Sequence, residues 1–195
     1  MQIPLQKADF LMNLKFSVKE IVESAMLISI AVVLDLKGLK IQLWPDGGSV
    51  SFTMVPLFLL AIRMGPLKGF VGIGIVYGGI TCLIDGWGIQ TFPFDYLLAY
   101  GSLSVIGFFS KFILDEKKPG RGLFFLLLGI VIGLLLRLVF ACVSSMIIYE
   151  YELMPALGYN IPYIFFAGVI TILAMLVLYK PLLITNKKFP LKSID

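Results

Sequence analysis

The chain has 195 residues, of which 59% are hydrophobic and only 14% are charged. A mean hydropathy of +0.97 leaves too little polar surface to cover a water-soluble globule, so the chain is predicted to be an integral membrane protein. The net charge of +4 does not indicate nucleic-acid binding, because the basic residues cluster at the ends of apolar segments. With no histidine and two cysteines, neither a metal site nor a cofactor is expected.

Apolar segments of about 20 residues can span a bilayer as helices. The sequence predicts helices over residues 19–36, 50–64, 67–84, 92–114, 122–148 and 159–183. The first helix is preceded by a long polar and amphipathic lead and is not followed by a small-residue cleavage pattern, so it is expected to be retained. The connections are short. The predicted fold class is therefore an all-α membrane protein, a compact bundle of six transmembrane helices forming one domain over residues 1–195.

The charged residues differ between alternate connections. Basic residues precede helix 1, flank the connection between helices 2 and 3, fill the connection between helices 4 and 5, and follow helix 6. The other connections contain acidic residues and only two lysines, Lys37 and Lys40. The positive-inside rule then predicts a multi-pass protein of the cell membrane with both termini in the cytoplasm.

Small residues recur at four-residue spacing in several helices. Gly129 and Gly133 in helix 5, like the glycines of helix 3, favour close helix packing inside the bundle. Helix 1 contains Ala25 and Ser29 at the same spacing. For this pair the sequence leaves open both internal packing and the docking of another membrane subunit.

Two charged residues lie within apolar segments. Arg137 is in the middle of helix 5, and Asp95 is a few residues inside helix 4. Ionised groups in hydrocarbon are costly and usually face a bundle interior or a watery cavity. With a rise of about 1.5 Å per residue, both are predicted in the outer third of the membrane. Further polar and aromatic residues predicted near this level are Trp44, Tyr96, Tyr149, Tyr159, Asn160 and Tyr163.

A carboxylate, a guanidinium, an amide and several aromatic rings at one depth are typical of a small-molecule pocket. The simpler interpretations are an Asp95–Arg137 structural ion pair, interfacial aromatic residues, and an Asn160 that merely begins helix 6. Counting Asp95, Glu150 and Glu152 against Arg137, the mouth is predicted to be net negative. Aromatic side chains favour a flat ring by stacking and by cation–π attraction. We therefore predict a flat, cationic heterocycle as ligand.

The loop between helices 1 and 2 contains Trp44, Pro45 and Asp46 followed by two glycines. Proline and glycine at these positions predict a tight turn just before helix 2. A loop of this kind with a tryptophan at its tip could close over a pocket as a lid. An ordinary tight connection with an interfacial tryptophan fits the same residues.

Several segments resemble one known family. They are the run GGSVSFTMVP at 47–56, AIRMG at 61–65, DYLLAY at 95–100, and the Tyr159-Asn160 pair. These residues are similar to the thiamine-specific S component family (ThiT/YuaJ) of energy-coupling factor transporters, over about residues 23–179. The resemblance implies a six-helix vitamin-binding subunit of a prokaryotic importer, and not an enzyme. Its implied partners are a transmembrane T component and two cytoplasmic ATPases, in keeping with the absence of a Walker motif from the chain.

The resemblance also implies roles for individual residues. Asp95 matches an acidic residue that bonds the aminopyrimidine of the ligand, with Tyr96 beside it. Asn160 matches a pyrimidine-binding amide, and Tyr149 falls where a stacking aromatic is expected. Arg137 lies at a position where the family has a basic residue.

On helix 1, Ala25 and Ser29 match the stripe that docks the T component, and Trp44 matches an aromatic residue of the covering loop. Two positions depart from the family pattern: Ala141 stands where many members have histidine, and Pro155 where a tyrosine is common. The resemblance with these departures implies either thiamine held by fewer polar contacts or a related pyrimidine or thiazole precursor as the expected ligand.

Two other classes of function compete with that of an importer subunit. An ion-coupled secondary transporter that uses Asp95 and Arg137 as its coupling pair remains open. An intramembrane enzyme is disfavoured, because no histidine, serine–lysine or paired-aspartate motif is recognisable on facing helices.

Overall fold

The computed structural model describes residues 14–44 and 47–190, so Pro45 and Asp46 of the predicted turn lie outside the described residues. Helices and a two-stranded antiparallel hairpin make up this part of the chain. Their bounds are α1 Val18–Leu34, β1 Ile41–Trp44, β2 Gly47–Val50, α2 Met54–Met64, α3 Pro66–Asp85, α4 Ile89–Ile113, α5 Pro119–Ile148 and α6 Leu153–Lys188. Within the hairpin, Ile41 lies opposite Val50 and Trp44 opposite Gly47.

Three predicted helix boundaries are wrong by more than three residues. Helix α2 begins at Met54 and not at residue 50, because Gly47–Val50 pairs with β1 as a strand. Helix α6 begins six residues earlier than predicted and extends to Lys188. Its first turn includes Pro155, which is tolerated there because a first-turn N–H has no partner within the helix. Hydropathy marks the apolar part of a helix, so it missed the C-terminal end of α6, where residues 184–188 are mostly polar.

Helices α3, α4, α5 and α6 are long and apolar enough to cross a membrane. Helix α2 is apolar but has only 11 residues, and α1 has 17. The prediction of a helical membrane protein is thus supported by four candidate spans.

Helix α2 forms the centre of the bundle, and ten of its eleven residues are buried. Glycines on neighbouring helices permit close contact around it. A Cβ atom added to Gly69 would lie 3.1 Å from the Cα of Ala61, and one added to Gly129 would lie 2.5 Å from a side-chain carbon of Ile106. The predicted internal packing role of the small residues in α3 and α5 is confirmed.

Buried charges join the start of α1, the α2–α3 junction and the end of α6. Arg63 makes two hydrogen bonds to the Glu23 carboxylate, at 2.6 and 2.9 Å, and donates to the Asn186 side chain at 2.7 Å and the Phe189 carbonyl at 2.9 Å. Beside it, the Lys68 ammonium lies 2.7 Å from a Glu20 oxygen. We call this set of residues the clamp, and the end of the bundle that contains it the basic end.

The clamp predicts that Arg63→Met destabilises the protein. The change leaves Glu23, Asn186 and a backbone carbonyl without their buried donor, and breaking such a pair costs about 3 to 5 kcal/mol. We expect a clear drop in the midpoint of thermal unfolding in detergent. Lys117→Met, which alters an exposed basic residue at the same end, is the control and should leave the midpoint unchanged. Equal midpoints for the two variants would show that the clamp does not stabilise the fold.

Candidate functional site

A cavity of about 710 Å³ lies at the end of the bundle opposite the clamp. Its volume is in the range of pockets that enclose small organic ligands. All eight residues predicted to bind the ligand line this cavity, namely Trp44, Asp95, Tyr96, Arg137, Tyr149, Tyr159, Asn160 and Tyr163. They come from the hairpin, from α4, from α5 and its C-terminal end, and from α6, and the fold brings them to one place.

Helix α4 contributes Asp95 and Tyr96 from a π-helical stretch, Phe92–Leu98. Such widened turns are frequent at functional sites, because they change the direction in which successive side chains point. Gly78 of α3 packs against this stretch, where an added Cβ would lie 3.1 Å from the Tyr96 carbonyl oxygen. The absence of a side chain at Gly78 lets α3 pack closely against the part of α4 that faces the cavity.

Arg137 of α5 is only 8% exposed, and its guanidinium lies 4.2 Å from the ring centroid of Tyr100. Cation–π contact of this kind stabilises a desolvated arginine by about 2 kcal/mol. Within the described residues, no ion pair of 4.0 Å or less joins Arg137 to Asp95. The two charges therefore line the cavity as separate groups.

Asn160 of α6 is held in one orientation by three hydrogen bonds. Its amide nitrogen donates to the Ser145 hydroxyl at 2.9 Å and to the Ala156 carbonyl at 2.8 Å, and its amide oxygen accepts from the Tyr163 hydroxyl at 2.7 Å. An amide oxygen has two lone pairs, so one remains for a ligand. The interpretation of Asn160 as the start of helix 6 is wrong, because α6 begins at Leu153.

The hairpin packs on α6 and covers part of the cavity. The indole nitrogen of Trp44 donates to the Tyr159 carbonyl at 3.2 Å, and the two rings stack with centroids 6.2 Å apart. Gly48 has a φ of +57°, and an added Cβ would lie 2.6 Å from the Trp44 ring. Glycine is therefore needed for the turn and for the contact. The sequence did not predict the strand pairing, and a lid movement stays a prediction.

A group of charged residues in the wall was not predicted to belong to the site. The Lys40 ammonium lies 3.2 Å from Asp35 and 3.4 Å from Asp85, and we call these three residues the charged cluster. Burial disfavours the ammonium form, but the two carboxylates outweigh it and raise the pKa of Lys40. The hydroxyls of Tyr77 and Tyr96 donate to Asp35 and Asp85 respectively. Sequence reasoning had used these charges only to assign the outer connections.

The prediction of a net negative mouth is wrong. Glu150 and Glu152 are exposed and do not line the cavity. The charged residues that line it are Asp35, Asp85 and Asp95 with Lys37, Lys40 and Arg137. Three negative charges thus face three positive ones, and any preference for a cation depends on where the carboxylates lie within the cavity.

The two departures from the family pattern lie in different places. Ala141 is buried in the wall of the cavity, where its methyl group can form no hydrogen bond with a ligand. Pro155 is in the first turn of α6 and is not part of the lining. Only the first departure therefore changes the surface that a ligand meets.

Ala25 and Ser29, the predicted docking residues, are exposed on α1 together with larger apolar neighbours. Val22 is 54% exposed and Met26 is 63% exposed. The opposite side of α1 is buried through Ile28 and Ala31. Internal packing therefore does not account for the small residues of this helix.

Comparison with known proteins gives consistent matches. The structure of ThiT from Listeria monocytogenes matches with a TM-score of 0.67 and 20% identity, over 88% of this chain and 96% of that one. The S component of a bacterial ECF transporter matches with a TM-score of 0.57 and 23% identity, over 87% of this chain and 98% of that one. These likenesses establish a shared fold.

The sequence comparisons identify the family. The thiamine transporter ThiT of Bacillus subtilis (strain 168) is 28% identical over 132 residues, which is 65% of this chain and 68% of that protein. The family described as thiamine transporter protein (Thia_YuaJ) matches residues 21–190. This match covers most of the sequence, including every residue that lines the cavity. The chain therefore belongs to the thiamine transporter protein family, Thia_YuaJ.

Proposed function

We propose that the chain is the substrate-binding S component of an ATP-driven importer of the energy-coupling factor type, and that its cavity binds thiamine. The observation that carries the proposal is the cavity itself, where a carboxylate, a fixed amide and several aromatic rings meet. The family match and the named relatives support the same function. The role is one of transport and not of catalysis.

The cavity residues fit the parts of thiamine. Asp95 accepts a hydrogen bond from the exocyclic amino group of the pyrimidine, and the free lone pair of Asn160 accepts another. The rings of Tyr149 and Trp44 stack on the ligand, and such contacts contribute about 1 to 3 kcal/mol each by analogy with base stacking. A pyrimidine or thiazole precursor is the alternative ligand, because Ala141 adds no polar contact.

We further propose that all six helices cross the membrane, with the basic end in the cytoplasm and the cavity near the outer face. Arg63, Lys68, Arg121 and Lys187 lie at or near the basic end, as the positive-inside rule requires. Helix α2 is short for a span, but nearly all of it is enclosed by protein, so it need not match the bilayer thickness. An outward-facing cavity captures the vitamin before transport.

The exposed side of α1 is the proposed docking surface for the transmembrane T component. Small side chains at Ala25 and Ser29 allow another helix to approach closely, as is common between helices in membranes. Two cytoplasmic ATPases supply the energy, because the chain has no Walker motif of its own.

Replacement of Asp95 by asparagine tests the ligand site. The change removes a charge-assisted hydrogen bond, which contributes about 1.5 to 3 kcal/mol, so thiamine affinity should fall about tenfold to a hundredfold. Both tryptophans of the chain line the cavity, so quenching of their fluorescence reports binding by the purified protein in detergent. Glu152→Gln, which alters an exposed carboxylate outside the cavity, should bind as the parent does.

The same titration distinguishes the ligands. The parent should respond to thiamine at lower concentration than to its pyrimidine half, its thiazole half or riboflavin. A response to a half-molecule without one to thiamine would assign the precursor as substrate. Equal thiamine affinity of the parent and Asp95→Asn would contradict the role given to Asp95.

Replacement of Ala25 by tryptophan tests the docking surface. The bulky ring should block close approach of the T component, so ATP-dependent uptake should be lost while thiamine binding by the isolated protein is retained. Leu83→Trp is the matched control, because Leu83 is 79% exposed on α3 and the same ring is placed on another apolar surface. Retained uptake in Ala25→Trp, or ion-driven uptake by this chain alone in liposomes, would contradict the proposal.

A further inference from the structure

We propose that Asp85 recognises the positive charge of the ligand, and that Asp35 and Lys40 hold the Asp85 side chain in position. This inference rests on the proposed function and deepens it, because it gives the ligand an orientation. The uncharged pyrimidine lies by Asp95 and Asn160, and the cationic ring lies by Asp85. The charged cluster is thus a second polar subsite in the wall of the same cavity.

The geometry distinguishes Asp85 from the other members of the cluster. Asp85 is 23% exposed and lines the cavity, whereas Asp35 is 9% exposed. One Asp85 oxygen lies 3.4 Å from Lys40, and the other accepts from the Tyr96 hydroxyl at 3.0 Å. These contacts fix the carboxylate in the wall that lines the cavity. A carboxylate positioned in this way can receive a charged ring without rearrangement of its neighbours.

Lys40 does not cancel the attraction for a cation. It is shared between two carboxylates, so the three residues together have a charge of −1. The other cations that line the cavity are the exposed Lys37 and the buried Arg137, whose guanidinium lies over the Tyr100 ring. A positively charged ring is repelled by Arg137 and attracted by the cluster, and this difference orients an asymmetric ligand.

The cluster also connects three elements of the wall. Asp35 follows the last residue of α1, Lys40 immediately precedes the hairpin, and Asp85 ends α3. The hydroxyl of the fully buried Tyr77 donates to one Asp35 oxygen at 3.1 Å, and Lys40 donates to the other, so this nearly buried carboxylate is held by partners within the wall. Asp35 and Lys40 are therefore positioning residues, and Asp85 is the one proposed to contact the ligand.

The experiment compares two ligands that differ in charge. Thiamine has a cationic thiazolium ring, and deazathiamine has the same shape with a neutral ring. Purified parent protein and Asp85→Asn are titrated with both ligands, with tryptophan fluorescence as the readout. We expect Asp85→Asn to lower the affinity for thiamine about tenfold and to leave the affinity for deazathiamine unchanged, because only the charged ring loses a partner. Asp85→Glu keeps the charge and should retain the preference for thiamine.

Each result has a separate meaning. Selective loss of thiamine binding in Asp85→Asn supports the inference, and the unchanged deazathiamine affinity shows that the variant is folded. An equal loss of affinity for both ligands would show that Asp85 has only a structural role. Unchanged affinity for both would show that Asp85 does not recognise the charge. Both of these results overturn the inference but leave the proposed function standing. A parent protein that binds neither ligand would overturn both.

Discussion

Polar groups in a membrane-embedded bundle persist only when each has a partner, because the unpaired group loses its hydration without compensation. The cavity wall satisfies this requirement with protein contacts. Arg137 lies over an aromatic ring, Asn160 has three hydrogen bonds, and Lys40 is shared by two carboxylates. These contacts hold the wall in place before a ligand enters. Preorganisation of this kind lowers the entropic cost of binding.

Helix α1 links the two ends of the bundle. Near its start, Glu20 and Glu23 belong to the clamp, and directly after its end Asp35 belongs to the charged cluster. Between these ends, one side of the helix is buried and the other is exposed and apolar. The proposed docking surface is therefore anchored on the same helix that supports the ligand cavity.

The sequence predicted the parts of this fold that depend on apolar length, and it missed those that depend on tertiary contacts. Long apolar runs located α3, α4 and α5 to within three residues. The strand Gly47–Val50 was missed because only its pairing with Ile41–Trp44 makes it a strand. Depth along the helices grouped eight of the residues that line the cavity, since the rise per residue is fixed. The same reasoning wrongly counted Glu150 and Glu152, and overlooked Asp35, Lys40 and Asp85, because depth does not say which way a side chain points.

A structure of the protein purified with saturating thiamine tests the account most directly. The account predicts one ligand in the cavity, beneath the hairpin, with its pyrimidine beside Asp95 and its charged ring beside Asp85. An empty cavity under those conditions, or a ligand bound elsewhere on the bundle, would contradict it.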